Sequence, residues 1–180
     1  MEQMNQAYKV FTRICLNNWH YIDRKVLGLN ESINFFTGHS GSGKSTVIDA
    51  MQIVLYANTD GRGFFNKAAA DDSDRSLIEY LRGMINIGEN NQAEYKRNKN
   101  FSTTIVLEME QTITKEKECI GVVFDVETAT NEINRLFFWH KGEPIPGDYR
   151  TESRAMTIGV VRSYLQQNFP KDEMSYTSNN

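Results

Sequence analysis

Hydrophobic and polar residues alternate along the first part of the chain. Over residues 8–16 the alternation has the two-residue period of a strand with one buried face. Turn-forming residues follow at 17–20, and residues 21–29 give a second extended segment. Residues 33–37 are rich in apolar and β-branched side chains. The pattern therefore predicts three N-terminal strands.

A second set of strand-like segments lies in the C-terminal half. Residues 101–112 and 118–127 are rich in β-branched and apolar residues and are separated by a charged run, which is typical of a β-hairpin. Residues 135–140 add a third strand, and a stretch with Pro144 and Pro146 ends it. These segments predict an antiparallel meander.

Helical spacing replaces the alternation at three places. The apolar positions of the first predicted helix are Val47, Ile48, Met51, Val54 and Leu55. Asp72 or Ser73 is a candidate cap for a second helix, and Ser153 for a third that spans residues 153–169. Residues 171–180 are polar, so we expect one domain over residues 1–170, then an unstructured tail at a truncation point.

A glycine-rich loop connects the third predicted strand to the first predicted helix. Gly38, Gly43, Lys44 and Ser45 match the pattern G-x-x-x-x-G-K-[ST], in which the backbone curls so that successive N–H groups face one anion. A Gly/Ser-rich surface turn that happens to contain a lysine is the alternative. The order strand, loop, helix favours a P-loop.

Each residue type in this loop suits a nucleoside triphosphate. Lys44 can reach the β- and γ-phosphates, Ser45 can offer a hydroxyl to Mg²⁺, and Thr46 can support the α-phosphate. We expect ATP and Mg²⁺ as ligands. The predicted nucleotide-binding residues are Gly38, His39, Ser40, Gly41, Ser42, Gly43, Lys44, Ser45 and Thr46.

Composition narrows the class of protein. A chain of 180 residues suits one domain with a sizeable core. The net charge of −3 gives no general basic character, so any contact with nucleic acid needs a local patch or a partner. Cys15 and Cys119 lie in apolar, strand-like settings, which predicts reduced core residues. Neither a membrane span nor a signal peptide is recognisable, so we expect a cytoplasmic protein without a membrane partner.

Two stretches resemble a known family. LNNWHYID at residues 16–23, followed by GHSGSGKSTVIDAMQIVL at residues 38–55, resembles the heads of SMC-like ABC ATPases, especially the MukB branch. FFNKAAADDSDRSLIEYLRG at residues 64–83 resembles JetC, the ATPase subunit of Wadjet plasmid-defence systems. The resemblance implies an α/β P-loop NTPase fold of the ABC type, an N-terminal lobe with a mixed sheet beside an antiparallel β-meander.

Other parts of an ABC-type site are missing from the sequence. Such a site needs a Walker B segment, apolar residues followed by Asp-Glu, to hold Mg²⁺ and polarise the attacking water. The nearest stretch is GVVFDVE, in which Asp125 is followed by Val126, and its place in a predicted hairpin favours a structural role. There is no Ser-Gly-Gly signature loop, and Gln111, Gln166 and Gln167 are weak candidates for the Q-loop glutamine. No catalytic residue is identified.

The resemblance implies the N-terminal half of an ATPase head that dimerises around ATP and acts on DNA, in plasmid defence or chromosome organisation. Its implied partners are the C-terminal lobe of the same protein, a second head, kleisin-type and accessory subunits, and DNA. ATP hydrolysis would belong to the full protein, and these residues alone would be inactive. A stand-alone P-loop kinase or NTPase and a nonenzymatic nucleotide-sensing module are the alternatives.

Four basic or polar residues outside the loop are further candidates. The resemblance places Arg62 and Lys67 where a head contacts DNA or its partner, although a solvated arginine in a turn is the better explanation of Arg62. Arg13 and Asn17 are candidates to approach phosphate or adenine from the first strand, and strand alternation explains both of them too.

Overall fold

A computed structural model of the chain describes residues 7–56, 77–87 and 92–179. The helices are α1 (Lys44–Tyr56), α2 (Leu77–Arg82) and α3 (Ile158–Asn168). The strands are β1 (Lys9–Trp19), β2 (Ile22–Gly28), β3 (Met84–Ile87), β4 (Ala93–Tyr95), β5 (Phe101–Gln111), β6 (Lys117–Glu127), β7 (Glu132–Lys141), β8 (Arg150–Thr151), β9 (Arg154–Ala155) and β10 (Met174–Asn179).

Within these described ranges the main sheet has six strands in the order β10-β7-β6-β5-β1-β2, and each strand is antiparallel to its neighbours. The strands β5, β6 and β7 form the meander that the alternating segments predict. Two small hairpins, β3–β4 and β8–β9, lie outside the main sheet. The α/β fold class is confirmed.

Alternation along the strands gives the sheet two apolar faces. On one face Ile14 and Leu16 of β1 pack with α1 and α2, and we call it the α1 face. On the other face Cys15 of β1 packs with Val161 and Leu165 of α3, and we call it the α3 face. The chain therefore has helices on both sides of one sheet, and the phosphate loop leads into the helix on the α1 face.

The prediction that both cysteines are reduced core residues is confirmed. Cys15 and Cys119 are free and buried on the α3 face. Burial raises the pKa of each thiol to about 12, so both remain protonated at neutral pH. No helix among the described residues is long and apolar enough to cross a bilayer.

The predicted strand at residues 33–37 is wrong. These residues lie outside the sheets of the described chain, and every pairing in those sheets is antiparallel, so the mixed sheet expected from the resemblance does not form here. A strand requires a hydrogen-bonding partner, and residues 33–37 do not pair with β2, although β2 is an edge strand of the main sheet. Phe36 packs against the core, whereas Ile33 is 64% and Phe35 is 83% exposed.

Two predicted boundaries also need correction. Residues 17–20 do not form the first turn, because β1 continues to Trp19 and the turn consists of His20 and Tyr21. The amide of Asn17 finds a partner inside the sheet, 2.7 Å from the hydroxyl oxygen of Thr104. Helix α3 is capped by Thr157 instead of Ser153, because Ser153 lies in the turn of the β8–β9 hairpin.

Part of the predicted polar tail is structured. Met174–Asn179 forms β10 and pairs along its whole length with β7. Polar side chains do not prevent this, because an edge strand is held through its backbone, and Met174 and Tyr176 pack against the α3 face. The predicted caps Asp72 and Ser73 lie outside the described residues.

His140 of β7 is buried on the α3 face and carries a pH-dependent contribution to stability. Its Nδ1 lies 2.9 Å from the carbonyl oxygen of Lys141 and its Nε2 lies 2.7 Å from the hydroxyl oxygen of Tyr149. The neutral ring satisfies both contacts by donating to the carbonyl and accepting from the hydroxyl. Burial lowers the pKa of His140 below its ordinary value of 6.5, and the bond to Lys141 opposes this shift.

We expect the free energy of unfolding to fall as the pH drops below about 6.5, because the unfolded chain then binds a proton at His140 that the folded chain does not. One such proton contributes at most about 1.4 kcal/mol per pH unit. Urea unfolding between about pH 7 and pH 5 measures this, and His140→Gln should lose less stability than the unmodified chain over the interval. Equal losses would contradict the assignment.

Candidate phosphate-binding site

The glycine-rich loop has the backbone conformation that its sequence predicts. Gly38, Gly41 and Gly43 have φ values of 150°, 80° and 89°, in a region that other residues rarely adopt. At Gly38 space is also limiting, because a Cβ would lie 2.6 Å from the Oγ of Ser42. The amide of Val47 donates to the carbonyl of Gly43 at 3.1 Å, so the loop ends directly in the first turn of α1.

Lys44 is the first residue of α1, and its side chain turns back over the loop. Its Nζ donates to the carbonyl oxygens of Gly38 and His39, both at 2.8 Å, and to the Oγ of Ser42 at 3.2 Å. A phosphate oxygen is a stronger acceptor than a carbonyl or a hydroxyl oxygen. The ammonium group can therefore exchange these contacts for bonds to a phosphate without a movement of the helix.

The other predicted loop residues lie where the motif requires them. His39 and Ser40 are exposed, while Ser45 and Thr46 are half-buried in the first turn of α1. The N-terminal end of a helix favours anions, since its first amides have no partner within the helix. The structure thus brings the predicted nucleotide-binding residues together around one helix terminus.

The donor set at this terminus fits Mg²⁺ brought in by a nucleotide. Mg²⁺ prefers oxygen ligands and keeps most of its shell as water and phosphate, so a single hydroxyl from Ser45 is an adequate protein ligand. Within the described ranges no group of three or more His, Cys, Asp or Glu residues is arranged to hold a metal on its own. Ser45 would help to hold a bound Mg²⁺, which would neutralise phosphate charge.

Two buried side chains fix α1 against the sheet. The Nε1 of Trp19 donates to the carbonyl of Thr46 at 2.8 Å, and the hydroxyl of Tyr80 donates to the Oδ2 of Asp49 at 2.8 Å. The rings of Trp19 and Tyr80 are themselves in contact, with centroids 5.2 Å apart. The sequence pattern did not indicate the bond from Trp19 to the helix that carries the phosphate loop.

A cavity of about 520 Å³ lies beside the loop. One wall is formed by the loop and the start of α1. A second wall is formed by Tyr21, Ile22, Lys25, Leu27, Phe35, Phe36 and Thr37. Apolar side chains dominate this second wall, with Lys25 as its one charged member among the described residues. A volume of this size suits a small organic ligand, so the cavity can hold the nucleoside part of a nucleotide whose phosphates lie in the loop.

Other candidates from the sequence lie elsewhere. The side chains of Arg13 and Asn17 lie on the α3 face. There the Nε of Arg13 is 3.7 Å from the Oε1 of Glu108, and the Nδ2 of Asn17 donates to the carbonyl of Asp148. Neither can reach the loop on the opposite side of the sheet, so their suggested approach to phosphate or adenine is wrong. Arg62 and Lys67 lie outside the described residues.

Asp125, the nearest candidate for a Walker B aspartate, also belongs to the α3 face. It accepts hydrogen bonds from the hydroxyl of Ser102 at 2.7 Å and from the backbone amide of Ile158 at 3.2 Å. Its carboxylate thus helps to cap α3. The weak Q-loop candidates have local roles as well, since Gln111 accepts from the amides of Ile113 and Thr114.

Comparison with family models agrees with this geometry over the N-terminal part of the chain. One similar solved structure comes from work on the ATP-driven dimerisation and DNA-stimulated activation of SMC ATPases. Its sequence is 14% identical to this chain, and the TM-score is 0.42. The match covers 70% of this chain and 68% of that chain. No curated protein is similar enough in sequence to count as a match. Residues 11–72, which include most of β1 and all of β2, the loop and α1, match the family model of the P-loop containing region of AAA domains.

Proposed function

We propose that the chain is the ATP-binding N-terminal lobe of an SMC-like ATPase head. The observation that carries this is the glycine-rich loop that ends at Lys44, at the N-terminus of α1. Loop amides and Lys44 bind the β- and γ-phosphates, Ser45 contributes a hydroxyl to Mg²⁺, and the neighbouring cavity takes the nucleoside. The stretches at residues 16–23 and 38–55 support the SMC-like assignment through the resemblance given above.

The described residues do not supply the chemistry of hydrolysis. Phosphoryl transfer to water needs a carboxylate that orients the attacking water. Among the described residues that line the cavity none is acidic. Asp49 accepts a hydrogen bond from Tyr80 in the core, and Asp125 lies on the α3 face of the sheet. We infer that the catalytic carboxylate comes from another lobe.

Exposed apolar side chains beside the loop support the proposal that another lobe binds there. Ile33 and Phe35 are exposed in an unpaired stretch just before the loop, and Ile48 and Leu55 are exposed seven residues apart on α1. Large apolar side chains that cluster at the surface mark an interaction site. An unpaired stretch of apolar and β-branched residues is also suited to accept a strand from a partner. In the proposal this partner is the C-terminal lobe of the same protein.

The remaining parts of the proposal follow from the resemblance alone. Two complete heads would dimerise around ATP and act on DNA, with kleisin-type and accessory subunits, in plasmid defence or chromosome organisation in the cytoplasm. Arg62 and Lys67 would contact DNA or the partner head. These roles distinguish the proposal from a stand-alone P-loop kinase, whose whole active site would lie within one chain.

Calorimetric titration of the chain with ATP tests the binding step. We expect binding that weakens when Mg²⁺ is removed with EDTA, because the metal neutralises the phosphate charge that the loop must otherwise balance alone. Inorganic tripolyphosphate should compete with ATP, since the loop recognises phosphates. If ATP does not bind in the presence of Mg²⁺, the proposal is wrong.

A further inference from the structure

The turn between β1 and β2 forms part of the cavity wall and is held in an uncommon conformation. The turn residue His20 has a φ of 50°, which residues other than glycine rarely adopt. Such a conformation persists where the surroundings hold it in place. The next two residues, Tyr21 and Ile22, line the cavity opposite the phosphate loop.

Lys96 and Arg97, which we call the basic pair, bind this turn through its backbone. The Nη1 of Arg97 donates to the carbonyl of His20 at 2.7 Å, and the Nη2 of Arg97 donates to the carbonyl of Ile22 at 3.2 Å. The Nζ of Lys96 donates to the carbonyl of Tyr21 at 3.0 Å. Three consecutive carbonyls therefore each accept a bond from a cationic side chain.

The basic pair is itself fixed to the end of α2. The amide of Lys96 donates to the carbonyl of Gly83 at 2.9 Å, and the amide of Arg97 donates to the carbonyl of Arg82 at 3.0 Å. Asp23 lies 2.8 Å from Lys96 and 3.3 Å from Arg97 and balances their charge. The side chain of Arg97 is only 8% exposed. Burying a guanidinium is costly unless it makes several hydrogen bonds, and here it donates to the carbonyls of His20, Ile22 and Leu81 and to the carboxylate of Asp23.

We propose that Lys96 and Arg97 are positioning residues for the nucleoside, because they fix the turn that presents Tyr21 and Ile22 to the ligand. This inference rests on the proposed function, since it concerns the half of the same cavity that lies opposite the phosphate loop. The phosphates depend on a different set of contacts, the loop amides and Lys44. Loss of the basic pair therefore weakens binding of the nucleoside without weakening binding of the phosphates.

Two ligands separate these contributions. Mg·ATP contacts both the loop and the turn, whereas inorganic tripolyphosphate with Mg²⁺ contacts the loop alone. We expect Arg97→Gln to lower the affinity for ATP about tenfold and to change the affinity for tripolyphosphate by less than about twofold. Lys96→Gln removes one hydrogen bond at the surface. It should also lower the ratio of the affinity for ATP to the affinity for tripolyphosphate, by a smaller factor.

Lys99→Gln is the matched control. It removes the same charge from the same segment, but Lys99 is exposed and has no bond to the turn among the described contacts. We expect it to leave the ratio of the two affinities unchanged. Since Lys96 is partly exposed, Lys96→Gln keeps the test decisive if Arg97→Gln does not fold.

A role in stability alone would lower the melting temperature and leave the ratio unchanged in both Arg97→Gln and Lys96→Gln. That result overturns the positioning role. Lys44→Ala provides the separate check on the proposed function, because it should weaken both ligands together. If Lys44→Ala weakens neither ligand, the phosphate site is wrong, whatever the basic pair does.

Discussion

Replacement of Lys44 with alanine should lower the affinity for Mg·ATP by about a hundredfold while the chain remains folded. A hydrogen bond from a charged donor contributes about 1.5–3 kcal/mol, and Lys44 would bind both the β- and the γ-phosphate. Among the described residues its side-chain hydrogen bonds all lie within the loop, to the carbonyls of Gly38 and His39 and the hydroxyl of Ser42. The core therefore loses nothing when the side chain is removed.

Calorimetry and thermal unfolding of the same samples measure the two parts of this prediction. Lys115→Ala is a suitable control, because Lys115 is 62% exposed in the turn between β5 and β6 and pairs only with Glu110 among the described residues. It should leave ATP affinity unchanged. Unchanged affinity in Lys44→Ala would contradict the site, and a large loss of thermal stability would contradict the local role of this lysine.

The phosphate loop could be predicted from the sequence because its determinants are local. Three glycines must adopt positive φ, and the lysine and serine must follow at once at the start of a helix, so a short motif contains nearly all of the geometry. The meander was equally accessible, because β5, β6 and β7 are consecutive and each alternates between two buried faces.

The wrong predictions concern segments whose structure depends on pairing with strands that are distant in sequence. Residues 33–37 have strand-like composition, but they pair with no strand among the described residues. Met174–Asn179 has the opposite character, since it is mostly polar yet pairs with β7 through its backbone. Local propensity cannot detect either case, because a strand forms only when its backbone groups find partners.

The wall of the cavity could not be read from the sequence for the same reason. Tyr21, Ile22, Lys25 and Leu27 lie beside the loop only because β2 folds back along β1. The bond from Trp19 to the carbonyl of Thr46 joins residues that are far apart in sequence. A signal was present in the stretch LNNWHYID, which carries the family resemblance, although the pattern alone does not say what the tryptophan contacts.

Turnover should be negligible for this chain even at saturating ATP. The loop and Lys44 can hold the phosphates, but no described residue of the cavity wall can orient the attacking water. The nucleotide would also remain partly accessible to solvent, which weakens the electrostatic stabilisation that phosphoryl transfer requires. Binding and hydrolysis are therefore separable, and the missing contribution should come from a C-terminal lobe and a second head.

Addition of the C-terminal lobe should restore ATP hydrolysis for two reasons. In the proposal this lobe supplies the Walker B carboxylates and covers the exposed side chains of Ile33 and Phe35. Two complete heads can then close on ATP and exclude water. Because closure is an association between heads, the rate per head should rise with protein concentration until the dimer is saturated. Ile33→Asp should weaken this rescue by placing a charge in the proposed interface, with little effect on ATP binding, because Ile33 is exposed and is not among the residues that line the cavity.

The most direct test of the account is the steady-state rate of ATP hydrolysis per chain, measured against protein concentration with and without the C-terminal lobe. The account predicts no measurable rate for this chain alone, and a rate that rises with concentration once the lobe is added and disappears in Lys44→Ala. Rapid hydrolysis by this chain alone, at a rate per chain that is independent of concentration and lost in Lys44→Ala, would contradict it and indicate a complete stand-alone NTPase.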